Sequence, residues 1–117
     1  IALKISRLVN DKLDTKSKKF FVQVNIGNES QKSGVEVKQT KKFVNWCIND
    51  LNLNVIGLMC IPPFNLDSEP FFKSMKRLCN ESNLEHLSMG MSEDYVSALE
   101  NGATYIRVGS GIFGKRN

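Results

Sequence analysis

Two short stretches carry residues able to grip an anion. One runs Ser88-Met89-Gly90-Met91-Ser92-Glu93-Asp94, and the other, near the end, runs Arg107-Val108-Gly109-Ser110-Gly111. Glycine has no Cβ, so the backbone at 90, 109 and 111 can approach a bound group closely. The hydroxyls of Ser92 and Ser110 can donate to phosphate oxygens, and amides at a helix start carry partial positive charge. Arg107 adds a permanent cation. Either turn alone is equally well explained as a strand terminator that permits tight packing. Two on successive strands favour an anion site, without choosing among phosphate ligands.

The elements that must position these turns follow from hydrophobic periodicity. Phe20 to Ile26 is rich in β-branched and aromatic residues and reads as a buried strand. A loop from Gly27 to Ser33 follows. Phe43, Val44, Cys47, Ile48 and Leu51 then form one stripe of a helix, with Ser33 and Glu36 spaced as a capping box. Val55 to Ile61 is a continuous apolar run, as in a strand covered on both faces, and Pro62-Pro63 ends it. Asp67 or Ser68 can cap a second helix with Pro70 in its first turn and Phe71, Phe72, Met75, Leu78 and Cys79 as its stripe. A third strand spans His86 to Gly90. Ser92 is the expected N-cap of a third helix, with Glu93 and Asp94 in its first turn, Val96 and Leu99 facing inward, and Gly102 as the stop. The fourth strand covers Thr104 to Val108 and leads through Gly109 to Gly111 into a last helical turn near Ile112 and Phe113. Residues 2 to 13 carry a weaker helical pattern through Leu3, Ile5, Leu8, Val9 and Leu13.

Strict alternation with continuous apolar strands predicts an α/β protein with a parallel sheet of right-handed βαβ units, about four strands in all. Four units do not close a barrel, which takes eight. The chain is therefore either a small open sheet or the C-terminal half of a (β/α)8 TIM barrel. Both turns fall beyond the carboxyl ends of the strands, where α/β folds hold ligands. In a barrel the usual phosphate site follows the seventh and eighth strands, which is where these turns land if the last strand is the eighth.

Composition narrows the function classes. At 117 residues with 41% apolar content, the chain has enough material for one packed core. Its longest apolar runs fall far short of the roughly 20 residues that span a bilayer, and the beginning lacks a signal-peptide layout. A cytoplasmic protein without membrane partners is expected. The net charge is +4 and the basic residues crowd the first 42 positions, notably Lys16, Lys18, Lys19, Lys38, Lys41 and Lys42. They are not interleaved with aromatics, so a solvated surface is favoured over nucleic-acid binding. Cys47, Cys60 and Cys79 form no CxxC pair and sit in apolar patterns, which predicts buried small hydrophobes and no metal site. The lone histidine, His86, opens a strand and reads as structural.

Several motifs resemble one family. Gln23-Val24-Asn25 with Glu29, Lys32 and Gly34, Gly57-Leu58-Met59 with Ile61-Pro62, Leu87-Ser88-Met89-Gly90-Met91-Ser92 with Asp94, and Arg107-Val108-Gly109-Ser110 with Ile112-Phe113-Gly114 are similar in order and spacing to the pyridoxal phosphate homeostasis proteins, the YggS-like family. The similarity covers nearly the whole chain. It implies a fold-type III, alanine-racemase-like TIM barrel about twice this length that carries pyridoxal 5'-phosphate. By that pattern Ser92, Gly109 and Ser110 hold the phosphate and Arg107 faces the pyridine nitrogen. Asn25 and Met59 line the mouth as outer pocket residues, with core packing an equal explanation for Met59.

The resemblance also implies an intracellular carrier and regulator of the cofactor with no catalytic turnover. A guanidinium beside the pyridine nitrogen disfavours its protonation, because like charges repel, and so weakens the ring as an electron sink. The alternative is an amino-acid racemase of the same fold. Such enzymes need a second acid/base residue, typically a tyrosine from another domain, whereas Tyr95 and Tyr105 read as packing residues. A third reading, a different phosphate-binding barrel enzyme, rests on the glycine turns alone. One departure is large: the lysine to which the family attaches the cofactor belongs to an early strand, and no lysine here occupies that motif. Residues 1 to 117 are therefore expected to be a single partial domain, the C-terminal half of a longer protein. Charge-assisted hydrogen bonds contribute about 1.5–3 kcal/mol each, and immobilising a ligand costs roughly 4–15 kcal/mol. The segment alone is thus expected to hold the cofactor weakly or not at all, and its open strand edges are expected to favour self-association.

Overall fold

The computed structural model describes residues 18–30 and 33–107. Five strands form one all-parallel sheet: β1 (Phe20–Asn25), β2 (Val35–Glu36), β3 (Val55–Met59), β4 (His86–Met91) and β5 (Tyr105–Arg107), in the order β2-β1-β3-β4-β5. Three helices connect them: α1 (Thr40–Asn49), α2 (Glu69–Glu81) and α3 (Tyr95–Glu100). From β1 onward each long strand pairs with the next through a helical crossover. Such crossovers are right-handed and put successive helices on one face.

That face is the core. Val22 and Val24 of β1, Leu58 of β3, and Leu87 and Met89 of β4 cluster with Val44 and Cys47 of α1 and with Phe72, Met75, Leu78 and Cys79 of α2. Strand side chains alternate, so Phe21, Gln23, Asn25, Met59, His86, Ser88, Tyr105 and Arg107 fall on the opposite face. The four long strands β1, β3, β4 and β5 lie side by side in chain order, as in one arc of a barrel wall, and only the two-residue β2 sits on the other side of β1.

The sheet curls toward the face without helices. Phe21 of β1 and Tyr105 of β5 are three strands apart, a span of roughly 14 Å in a flat sheet. Yet their rings meet edge to face with centroids 5.1 Å apart, and His86 packs on Tyr105 at 5.6 Å. Gly57 lies between Phe21 and His86 in register and contributes no side chain beneath these rings.

Several expectations need correction. The first helix begins at Thr40, not Ser33: Glu36 is extended at the end of β2, and Val37–Gln39 form a 3-10 turn. No Ser33–Glu36 capping box forms; the short β2 pairs with Val24 and Asn25 instead, and Thr40 Oγ1 donates to the Glu36 carbonyl. The third helix starts at Tyr95, leaving Ser92 in the preceding turn, and it buries Ala98 while Val96 and Leu99 are exposed. With only six residues, α3 reaches the sheet through one small side chain, because Ala98 packs against Gly90. The Gly102 stop is observed, with φ +99°. The expected helix over residues 2 to 13 and the turns after Arg107 lie outside the described residues. Among the described residues no helix is long and apolar enough to cross a membrane.

The three cysteines are buried, as expected. Burial pushes all three thiols up, Cys60 to about 12, and Cys79 Sγ donates to the Leu84 carbonyl at 3.2 Å. A reactive thiolate is scarce under these conditions. Alkylation of the folded protein at pH 8 should leave all three unmodified, and unfolding in denaturant should expose all three; rapid labelling of any of them in the native state would contradict this. Because the folded thiols keep their protons above the ordinary value of 9.0, their contribution to stability is present below pH 9 and is lost as pH rises toward 12.

Candidate functional site

Polar side chains gather where β1, β3, β4 and β5 end, on the concave face. In the sheet register Gln23 lies beside Met59, Met59 beside Ser88, and Ser88 beside Tyr105. The next level brings Arg107 beside Met91, directly before the Ser92 turn. Between Ser88 and Met91 strand β4 takes one residue more than β5, so a bulge separates the two pairings. Gly90 makes it possible: its φ is +105°, and a Cβ there would stand 2.7 Å from Ala98 Cβ and 3.2 Å from Ile106 Cγ2. The bulge carries the Ser92 turn out past the end of the sheet.

Arg107 is half-buried, and its one hydrogen bond among the described residues runs from Nη1 to Ser88 Oγ at 2.8 Å. A guanidinium has five N–H donors in a rigid fork, so this contact fixes its position while leaving most donors for another group. Cys60, fully buried at the end of β3, feels both Arg107, which pulls its thiol down, and Asp94, which pushes it up, although burial dominates.

Asp94 organises the turn after β4. Its Oδ1 accepts the Met91 N–H at 2.8 Å, and its Oδ2 accepts the hydroxyl of Ser68, just before α2, at 2.7 Å. The Asp94 N–H bonds back to the Met91 carbonyl at 3.1 Å. Ser92 and Glu93 are exposed at the tip of this closed turn.

The expected site residues divide as follows. Ser92 and Arg107 lie on adjacent strand ends. Met59 is half-buried on the same face, one strand over. Asn25 ends β1, but its amide is engaged locally: Nδ2 donates to the Glu29 carbonyl at 2.6 Å and Oδ1 accepts the Glu29 N–H at 3.1 Å. It shapes the loop after β1. Gly109 and Ser110 lie outside the described residues. Sequence reasoning missed Ser88, Ser68 and Asp94 as parts of the site. The inward position of Ser88 was legible in the alternation His86, Ser88, Gly90, whereas the Ser68–Asp94 pair spans 26 positions and had no local signal. His86 is structural, with Nδ1 3.2 Å from Thr104 Oγ1 and its ring on Tyr105.

Four long parallel strands in chain order, with helices on one face and a polar cluster at the mouth of the other, define an α/β protein of the barrel type, described here over one arc. No protein-family model matches the sequence. The pyridoxal phosphate homeostasis protein of Aquifex aeolicus is 39% identical over 105 residues, covering 82% of this chain and 46% of the relative. The human protein of that name is 36% identical over 113 residues, covering 85% of this chain and 41% of the relative. Among solved structures, PipY of Synechococcus elongatus without PLP superposes with a TM-score of 0.78 at 28% identity, covering 97% of this chain and 56% of that one. The same protein with PLP bound gives a TM-score of 0.74 at 25% identity. The chain belongs to the pyridoxal phosphate homeostasis protein family, and it spans about half the length of the curated relatives it matches.

Proposed function

We propose that this chain supplies the phosphate-binding and ring-facing side of a pyridoxal 5'-phosphate site, in a protein that carries and regulates the cofactor and does not turn over substrate. The observation that carries the reading is the fixed guanidinium of Arg107 on the concave face, beside the Ser92 turn. A planar anionic cofactor needs donors at one end and a flat, uncrowded floor. Arg107 has donors to offer, the small Ser88 beside it leaves room on that face, and Met59 gives it an apolar border. The residues present therefore fit the group.

In this reading Ser92 and Ser110, with the backbone at Gly109, receive the phosphate, and Arg107 faces the pyridine nitrogen. When bound, the cofactor brings an electron-poor ring and an aldehyde. The protein's contribution is to hold a positive charge against the ring nitrogen, which keeps that nitrogen unprotonated and restrains carbanion chemistry. Asn25 serves at one remove, by holding the loop through Glu29. The names of the relatives, homeostasis proteins and not racemases, support the absence of turnover.

The complete gene product carrying this sequence should bind pyridoxal phosphate with a characteristic absorbance and show no racemisation of amino acids. The 117-residue chain alone should bind it no tighter than micromolar, since a handful of charge-assisted contacts barely offsets the cost of immobilising a ligand. Titration of both, followed by absorbance, checks this. Sub-micromolar binding by the isolated chain, or no binding by the complete product, would contradict it.

A further inference from the structure

We infer that Ser68 and Asp94 form a clasp between two rim loops, and that Ser68 is a positioning residue for the phosphate-binding turn; this rests on the cofactor reading above. Asp94 alone could close its own turn, and its Oδ1 does so by accepting the Met91 N–H at 2.8 Å. Its second oxygen is not left to solvent. It accepts the Ser68 hydroxyl at 2.7 Å, across 26 positions, from the end of the loop that joins β3 to α2.

The geometry shows why this contact is directed. Ser68 precedes α2, where a serine ordinarily turns its hydroxyl to its own helix, yet it makes no side-chain cap there. The nearby cap-like contact comes from Asp67, whose Oδ1 accepts the Glu69 N–H at 3.2 Å. Ser68 is thus released to reach Asp94, and both side chains are half-buried. The same β3–α2 loop is also held at its start, because Pro63 packs on Gly27, where a Cβ would fall 2.5 Å from the proline Cγ. Glycine at 27 admits that contact. The loops after β1, β3 and β4 are therefore joined into one rim: Gly27 to Pro63, then Ser68 to Asp94, then Asp94 to Met91. Ser92, at the tip of the last loop, takes its position from this chain of contacts. A fixed turn presents its donors without an ordering cost when the ligand arrives, so the clasp acts on how long the ligand stays more than on how fast it arrives.

The test uses the complete gene product and pyridoxal phosphate. Ser68→Ala should raise the dissociation rate roughly tenfold, the order expected when one charge-assisted hydrogen bond no longer fixes a binding turn. The association rate should stay within about twofold, and the melting temperature of the unliganded protein within a few degrees. Ser68→Thr, which keeps the hydroxyl, should restore slow release. Adding Ser68→Ala to Asp94→Ala should cause no further loss, because the partner is already gone. Wild-type release from Ser68→Ala, or additive losses in the double variant, would overturn the clasp while leaving the cofactor reading intact. A wild-type protein that takes up no cofactor would overturn that reading, and the role of the clasp with it.

Discussion

Replacing Arg107 by alanine in the complete gene product is expected to weaken pyridoxal phosphate binding by about 10- to 100-fold, the equivalent of one charge-assisted hydrogen bond. The guanidinium is half-buried and oriented by Ser88, so in the proposed site its remaining donors would meet the ligand without having to be ordered on binding. Lysine should not restore affinity, because a point charge on a flexible stem cannot both bond Ser88 and present a planar fork to the ring. Ser88→Ala should have a smaller effect in the same direction, a few-fold, since it leaves the charge and removes only the contact that aims it. Equilibrium titration of the three variants checks the order. Affinity unchanged in Arg107→Ala would show that the guanidinium does not face the cofactor.

Gly57→Ala should be the most damaging single methyl in the described structure. A Cβ at 57 would stand 2.3 Å from the carbonyl oxygen of His86 and 2.7 Å from its carbon, and these are backbone atoms of the neighbouring strand. A side chain could rotate away, but a paired strand cannot. The β3–β4 pairing at Gly57–His86 and the aromatic layer of Phe21, His86 and Tyr105 above it would have to shift together. Overpacking of this kind costs about 3 kcal/mol, which corresponds to a fall in melting temperature of roughly 10 °C for a domain of this size. Thermal unfolding followed by circular dichroism measures it. A variant melting within two or three degrees of wild type would mean that the strands are not pressed together at this point.

These two predictions differ in how far the sequence alone could reach them. The strands and the two longer helices were legible because their residues bury one face or both. Val55 to Met59 is a continuous apolar run, and Phe72, Met75, Leu78 and Cys79 repeat at helical spacing. The start of the first helix was misread because Ser33 and Glu36 imitate a capping box, while pairing of Val35 and Glu36 with the end of β1 offers the backbone another partner. Val96 and Leu99 were placed inward on apolar character, although a helix of six residues can bury only what its closest approach permits, here Ala98 against Gly90. Of the candidate site, Arg107 and Ser92 were named from type and position, and the structure sets them on adjacent strand ends. Ser88 holding Arg107, and Ser68 reaching Asp94, depend on register and loop proximity, which no local spacing encodes.

The account depends on the ends of β4 and β5 receiving one flat anionic ligand. A crystal structure of the complete gene product grown with pyridoxal phosphate tests that most directly. The cofactor phosphate should lie between the Ser92 turn and the turn at Gly109 and Ser110, with Arg107 still bonded to Ser88 and directed at the ring nitrogen. A cofactor seated away from these turns, or an Arg107 side chain turned from the ring into solvent, would contradict it.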